Sequence, residues 1–405
     1  TGTGFSAVEV GLSEAGAVSF SRSDANPVSY AAPVTVDADG GTGNVTISTN
    51  IDTAGGTGNG VTIHGEGSTT TELAADIITD GGAVLVDGGV FSIEETALRS
   101  IDTQSSAGTP GTVDLDAVTI TGSAAGADFT IDASGGTGGT VNLGTADGTS
   151  ALLHSLTVTG NGGGLITLNG SIGLDYSGSA SSFQVNGSSD VAIGAAVVID
   201  TENGLGNTGG SVDFGSSNIY GSAAGNSLEI DTSGSGGAGA VTLGLADNNA
   251  GGANYLERVI VNALDGGSNY SATAGVITLN GNIFVDEAAA SQATSTVQLY
   301  GKVDVAGGAR SVDTNQSGGQ VSGQIDLSEA VVSDGTGGGS LSLDTSTGDT
   351  NAAGHILLGD VTALQGSRLT ALSAANTNSG GTSGILELSD SDGSGTIELF
   401  TDGGN

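Results

Sequence analysis

The chain has 405 residues, of which 75 are Gly, 3 are Pro, 6 are Lys or Arg, and none is Cys, Met or Trp. Its 44 acidic side chains leave a formal net charge of −38, a surface that repels nucleic-acid phosphates and anionic lipid headgroups and attracts cations. Disulfides are excluded by the absence of Cys, helices are disfavoured by the scarcity of helix formers, and recurrent Val, Ile and Thr favour strands.

In chain order, short segments that alternate apolar and polar residues follow one another at spacings of about 8 to 16 residues. The first are Val34-Thr35-Val36-Asp37 and Val84-Leu85-Val86-Asp87. Then come Arg99-Ser100-Ile101-Asp102-Thr103, Val113-Asp114-Leu115, Val118-Thr119-Ile120, Phe129-Thr130-Ile131-Asp132 and Val141-Asn142-Leu143-Gly144. Leu156-Thr157-Val158, Ile166-Thr167-Leu168-Asn169-Gly170 and Val198-Ile199-Asp200-Thr201 continue the series. It runs on through Val212-Asp213-Phe214, Leu228-Glu229-Ile230-Asp231, Val241-Thr242-Leu243-Gly244 and Ile277-Thr278-Leu279-Asn280-Gly281. The last members are Arg310-Ser311-Val312-Asp313-Thr314, Ile325-Asp326-Leu327, Leu341-Ser342-Leu343-Asp344 and Ile356-Leu357-Leu358-Gly359. Gly-Gly, Asp-Gly and Asn-Gly pairs between the segments supply the positive-φ positions that turns require. Apolar residues, at 36%, arrive in regular clusters, which is the mark of a chain with a core to fill.

The segments repeat at longer range. Ile131 and Ile230 lie in matching strings 99 residues apart, and Ile166 and Ile277 in strings 111 apart. Four super-repeats of about a hundred residues follow, at approximately 1–96, 97–195, 196–308 and 309–405, in one continuous array over 1–405. With aromatics at 3% and few prolines, a row of β-sandwiches is the second choice. The first is an all-β solenoid, whose narrow interior Val, Ile, Leu and Ala fill without large rings. Gly, Asn, Asp, Ser and Thr would turn its corners. Two strands per coil would give coils near 20 residues and three would give coils near 30, so that a rod of about 65–100 Å results at ~4.8 Å per coil.

The strings Ile101-Asp102-Thr103, Phe129-Thr130-Ile131-Asp132 and Ile166-Thr167-Leu168-Asn169-Gly170, set in Gly/Thr/Ser/Asp-rich sequence, resemble repeat regions of giant bacterial surface proteins. They are also similar to autotransporter and filamentous-haemagglutinin-type adhesins. That resemblance implies a right-handed parallel β-helix, display at the cell surface and adhesion or matrix roles. The chain starts at Thr1 and lacks Met, so it is expected to be a processed product or an excerpt. No stretch approaches the ~20 apolar residues that span a bilayer, and direct membrane insertion is not expected.

Candidate chemistry is sparse. His64, His154 and His355 share no repeat position and read as incidental, and Arg22, Arg99, Arg258, Lys302, Arg310 and Arg368 are scattered. Asp102, Asp200 and Asp313, like Asp132, Asp231 and Asp344, recur at one repeat position, which suits a corner and not a singular catalytic pair. No catalytic residue and no required cofactor is therefore expected. Calcium is the candidate cation, with Asp37, Asp39, Asp390 and Asp392 as its candidate ligands beside glycine turns. Turns closed by the Asp side chains explain the same residues. The reading is a non-enzymatic extracellular structural or adhesive protein, an acidic rod that projects from a cell or forms a filament. Its expected partners are copies of itself or surface glycans. A carbohydrate-active parallel β-helix enzyme is the alternative.

Overall fold

The computed structural model describes residues 6–11, 17–21, 29–38, 43–65, 70–104, 108–124, 126–146, 151–175, 180–202, 208–247, 254–265, 274–286, 295–315, 322–335, 338–346, 353–360, 369–376 and 385–388. Among them every regular element is a strand, and the strands pair in parallel, so the fold is an all-β solenoid. It divides into two units, Thr1–Val191 and Ala192–Asn405.

In the first unit three strands make each coil. Val34–Asp37, Val45–Ile47 and Ile51–Asp52 are followed by Val61–His64, Thr70–Leu73 and Ile77–Ile78, then by Val84–Asp87, Val90–Ile93 and Arg99–Asp102. Each stacks in register on its counterpart one coil away, as Val34 on Val61 and Val45 on Thr71 do. Register partners lie from 20 residues apart, Thr70 to Val90, to 30 apart, Arg99 to Phe129. The three-strand alternative of the sequence reading is the one found.

The second unit is built in the same way with more variable coils. Its partners lie from 26 residues apart, Ile277 to Val303, to 38 apart, Val259 to Val297. One strand there, Thr296–Asp304, serves two faces: Thr296 to Tyr300 pair with Arg258–Asn262, and Lys302 to Asp304 pair with Val276–Leu279. Gly301 makes the bend between them at φ 136°, in a region L side chains rarely adopt.

Strict alternation explains the cores. Along Ala127–Asp132 and Thr296–Asp304 every second residue is buried, and the residues between are half-buried on the outside. Val, Ile and Leu fill most of the interior, each contributing about 1.5–3 kcal/mol when fully buried. The interior also takes rings, contrary to the expectation of an aliphatic core. Phe91, Phe129 and Phe183 in the first unit and Phe214 in the second are fully buried, and Phe91 meets Phe129 edge to face at 5.9 Å. A parallel coil can absorb a ring because a neighbouring coil places a smaller residue or a complementary ring beside it.

Glycines stack at the corners because backbone from adjacent coils approaches too closely for a side chain. A Cβ on Gly111 would sit 2.1 Å from the Gly82 carbonyl oxygen, and one on Gly239 would sit 1.7 Å from that of Gly210.

Candidate functional site

The repeated Asp-Thr pair is a corner device. In Asp102-Thr103 the Asp102 Oδ1 accepts the Gln104 N–H at 2.9 Å, and the buried Thr103 hydroxyl donates to the Gly111 carbonyl at 3.0 Å. Asp200-Thr201, Asp231-Thr232, Asp313-Thr314 and Asp344-Thr345 repeat both bonds, with Thr hydroxyls reaching Gly210, Gly239, Gly323 and Gly354. The side chain of Asp turns the backbone outside the coil while that of Thr ties the returning strand inside it. Asp132 makes the same turn onto Ser134 N, although Ala133 replaces the Thr.

Stacking also sets the carboxylates against each other. Asp102 and Asp132 are register partners. Burial raises the Asp102 carboxyl above its ordinary range and the Asp132 charge adds to this, while the Gln104 N–H draws it down. Burial likewise raises Asp190. In the second unit the Tyr300 hydroxyl donates to Asp326 Oδ2 at 2.9 Å, and burial, followed by the Asp326 charge, pushes that phenol well above its usual value. Asp326 is itself buried and also accepts from Gln324 Nε2 and from Ser328 N–H and hydroxyl.

The histidines are less incidental than their sequence positions imply. His64 stacks between Asp37 and Asp87, with Nδ1 2.8 Å from Asp87 Oδ2. His154 Nδ1 lies 2.8 Å from Asp128 Oδ1, at a register shift in Leu153–Thr159. His355 is exposed. Of the four candidate calcium ligands, Asp37 thus lies in a column with His64, while Asp39, Asp390 and Asp392 lie outside the described residues. No group of three or more His, Cys, Asp or Glu arranged to hold a metal occurs among the described residues.

The two Arg-Ser-x-Asp-Thr strings place their arginines differently. Arg99 Nη2 pairs with Glu94 Oε2, both side chains being about five-sixths buried, and the Arg99 Nε has no partner. Arg310 Nε donates to the Leu279 carbonyl at 2.6 Å and Nη1 to that of Ala309 at 3.3 Å. The residue five before Arg310 is Val305, where Glu94 precedes Arg99. No carboxylate pairs with Arg310 among the described residues. On the outer face of these strands lies a recess of about 280 Å³, walled by Ala309, Ser340 and Ala371 on one side and by Asn282, Ser311, Ser342 and Ser373 on the other. Two features hold this wall. Ser311 N–H donates to Asn282 Oδ1 at 2.9 Å, and Ser373 Oγ donates to Ser342 Oγ at 3.0 Å.

No protein-family model, curated protein or solved structure matches the chain. The recess is the feature that the sequence did not reveal. The sequence grouped Arg99 and Arg310 with four other scattered basic residues, and only the fold shows that Arg99 meets Glu94 while Arg310 meets carbonyl oxygens.

Proposed function

We propose that the chain is a non-enzymatic structural and adhesive element of an extracellular surface, an acidic solenoid that projects from a cell or joins copies of itself into a filament. One observation carries this reading: the chain's recurrent chemical signature, Asp-Thr, is engaged on both side chains in closing corners, as at Asp102-Thr103 and Asp344-Thr345. A carboxylate that already accepts a backbone N–H at every repeat serves the coil. Outside the coils, stacked columns of short polar residues such as Thr35 on Thr62 and Thr130 on Thr157 offer the same group again at each coil. Weak contacts repeated at fixed spacing add up to avidity.

The parallel edges of such coils can also pair with further strands, which gives self-assembly a physical route, and calcium bridging acidic columns on two copies would cement it. Electron microscopy of the purified protein with and without a calcium chelator tests the reading. Uniform filaments, or rods that bind glycan arrays, would support it, and dissolution by chelator would identify the cement. Release of reducing or unsaturated ends from a polysaccharide panel, in proportion to protein added, would sink it in favour of an enzyme.

A further inference from the structure

We propose that Asn161-Gly162 is a site of self-modification, where the Asn161 side-chain amide closes onto the next peptide nitrogen and ends as isoaspartate or aspartate. The inference goes beyond the surface-rod reading and does not depend on it. Five Asn-Gly pairs lie among the described residues: Asn59-Gly60, Asn161-Gly162, Asn169-Gly170, Asn186-Gly187 and Asn280-Gly281. Sequence alone treats them alike, since a glycine with no Cβ leaves each peptide nitrogen unshielded.

The fold separates them. Closing the five-membered ring draws the glycine toward the asparagine side chain, and packing against that glycine opposes the movement. Backbone of the adjacent coil lies against four of the five. A Cβ on Gly60 would sit 2.6 Å from the Ala83 carbonyl oxygen, and one on Gly187 would sit 2.0 Å from that of Gly160. A Cβ on Gly170 would sit 2.7 Å from the Thr145 nitrogen, and one on Gly281 would sit 2.5 Å from Leu245 Cα. On Gly162 it would meet only Ser188 Oγ, at 3.4 Å. Among the described pairs, this is also the one with both residues exposed.

The reacting groups of Asn161-Gly162 are already together. Gly162 N–H donates to Asn161 Oδ1 at 2.9 Å, which sets the amide carbon, one bond behind that oxygen, against the nitrogen that attacks it. Holding reacting atoms about 3–3.5 Å apart is how a fold lowers such a barrier. The carbonyl of the same peptide accepts the Gly164 N–H at 2.7 Å and the Ser189 hydroxyl at 3.3 Å. Both bonds draw electron density from the Gly162 nitrogen and ease the loss of its proton. By contrast, Asn280 Nδ2 donates to the Gly215 carbonyl at 3.1 Å, which holds that amide toward another coil.

In the first step the Gly162 nitrogen gives its proton to solvent base and bonds to Asn161 Cγ. The Cγ–Nδ2 bond breaks, and ammonia leaves with a proton taken from water. Water then opens the succinimide, at the main-chain carbonyl to give isoaspartate or at Cγ to give aspartate. One water enters, one ammonia leaves, and a carboxylate replaces an amide. Isoaspartate also lengthens by a methylene the turn between Leu153–Thr159 and Leu165–Leu168, beside Ser188 and Ser189.

The test is peptide mapping of the full chain by mass spectrometry after storage at mildly alkaline pH, in buffer and in urea, with fragmentation that distinguishes isoaspartate. In buffer Asn161 should convert about tenfold faster than Asn59, Asn169, Asn186 or Asn280, and in urea the five rates should converge. G162A, for which the fold has room, should suppress conversion at Asn161 with an unchanged circular dichroism spectrum. S189A should slow it by a smaller factor, because the carbonyl loses one of its two donors. Equal rates at Asn161 and Asn280 in buffer would overturn the proposal. So would a lead of Asn161 that persists undiminished in urea, since local sequence would then account for it without the fold.

Discussion

At residues 99–103 and 310–314 the chain carries nearly the same five residues, Arg-Ser-Ile-Asp-Thr and Arg-Ser-Val-Asp-Thr. Their Asp-Thr halves do the same thing: each Asp caps the second N–H after it, and each Thr hydroxyl reaches a glycine carbonyl across the corner. Their arginines do opposite things. Arg99 is neutralised by Glu94 but leaves its Nε unpartnered, whereas Arg310 has its Nε satisfied by a carbonyl and no acid paired with it among the described residues. Corner chemistry is local and travels with the motif. Charge compensation depends on a residue outside the motif, Glu94 in one copy and Val305 in the other.

The comparison can be broken at the corner itself, and the largest effect is expected there. G239A would drive a methyl against the Gly210 carbonyl and should cost about 4 kcal/mol or more in urea unfolding; a loss under 1 kcal/mol would mean that the coils move apart at no cost. Next come the arginines. R99Q leaves the mostly buried Glu94 unpaired and should cost about 2 kcal/mol, while R310Q should cost less than about 1 kcal/mol. Equal losses would remove the distinction between the copies. The threonines sharpen the shared half: T103V and T314V each leave a glycine carbonyl without its donor and should cost about 1–2 kcal/mol, by similar amounts in both places.

The smallest effect concerns pH. The raised carboxyls of Asp102 and Asp190 take up protons in the folded chain before they would in the unfolded one, so their contribution grows as pH falls through their folded values and is complete below 3.8. Glu94 acts in the opposite sense. The Thr96 hydrogen bond, then that of Arg99, holds it low against burial, and its contribution is lost as pH falls below 4.5. Because discharging a surface of net charge −38 also relieves repulsion, the melting temperature should rise as pH falls from 7 toward 4.5, and D102N should remove the part of that rise that Asp102 contributes. A monotonic fall over the same range would refute it.

Much of the fold was legible because alternation and corner chemistry are written locally. Ile131 and Ile230, buried in their coils, and the Asp residues that follow them were recognisable by their recurrence alone. The length of the coil was not. In the second unit, Asp231-Thr232 ends a strand paired with Arg258–Asn262, while Asp344-Thr345 ends one paired with Ala371–Ala375 on another ladder. Copies of one motif therefore close different faces, and the long sequence period is not a whole number of coils. Any corner needs the same two hydrogen bonds, so the motif serves wherever the chain turns.

Composition, alternation and the Asp-Thr recurrence determined by themselves that this chain would coil in short strands with an acidic exterior and turn on glycine and aspartate. These depend on backbone preference and on which side of a strand a residue points. Only the tertiary structure decided which residues from different coils meet: Phe91 with Phe129, His64 with Asp87, and Arg310 with the Leu279 carbonyl. Those encounters depend on the number of residues in each coil, and that number varies from 26 to 38 in the second unit alone. A shift of one residue in any turn would have brought a different side chain to Arg310.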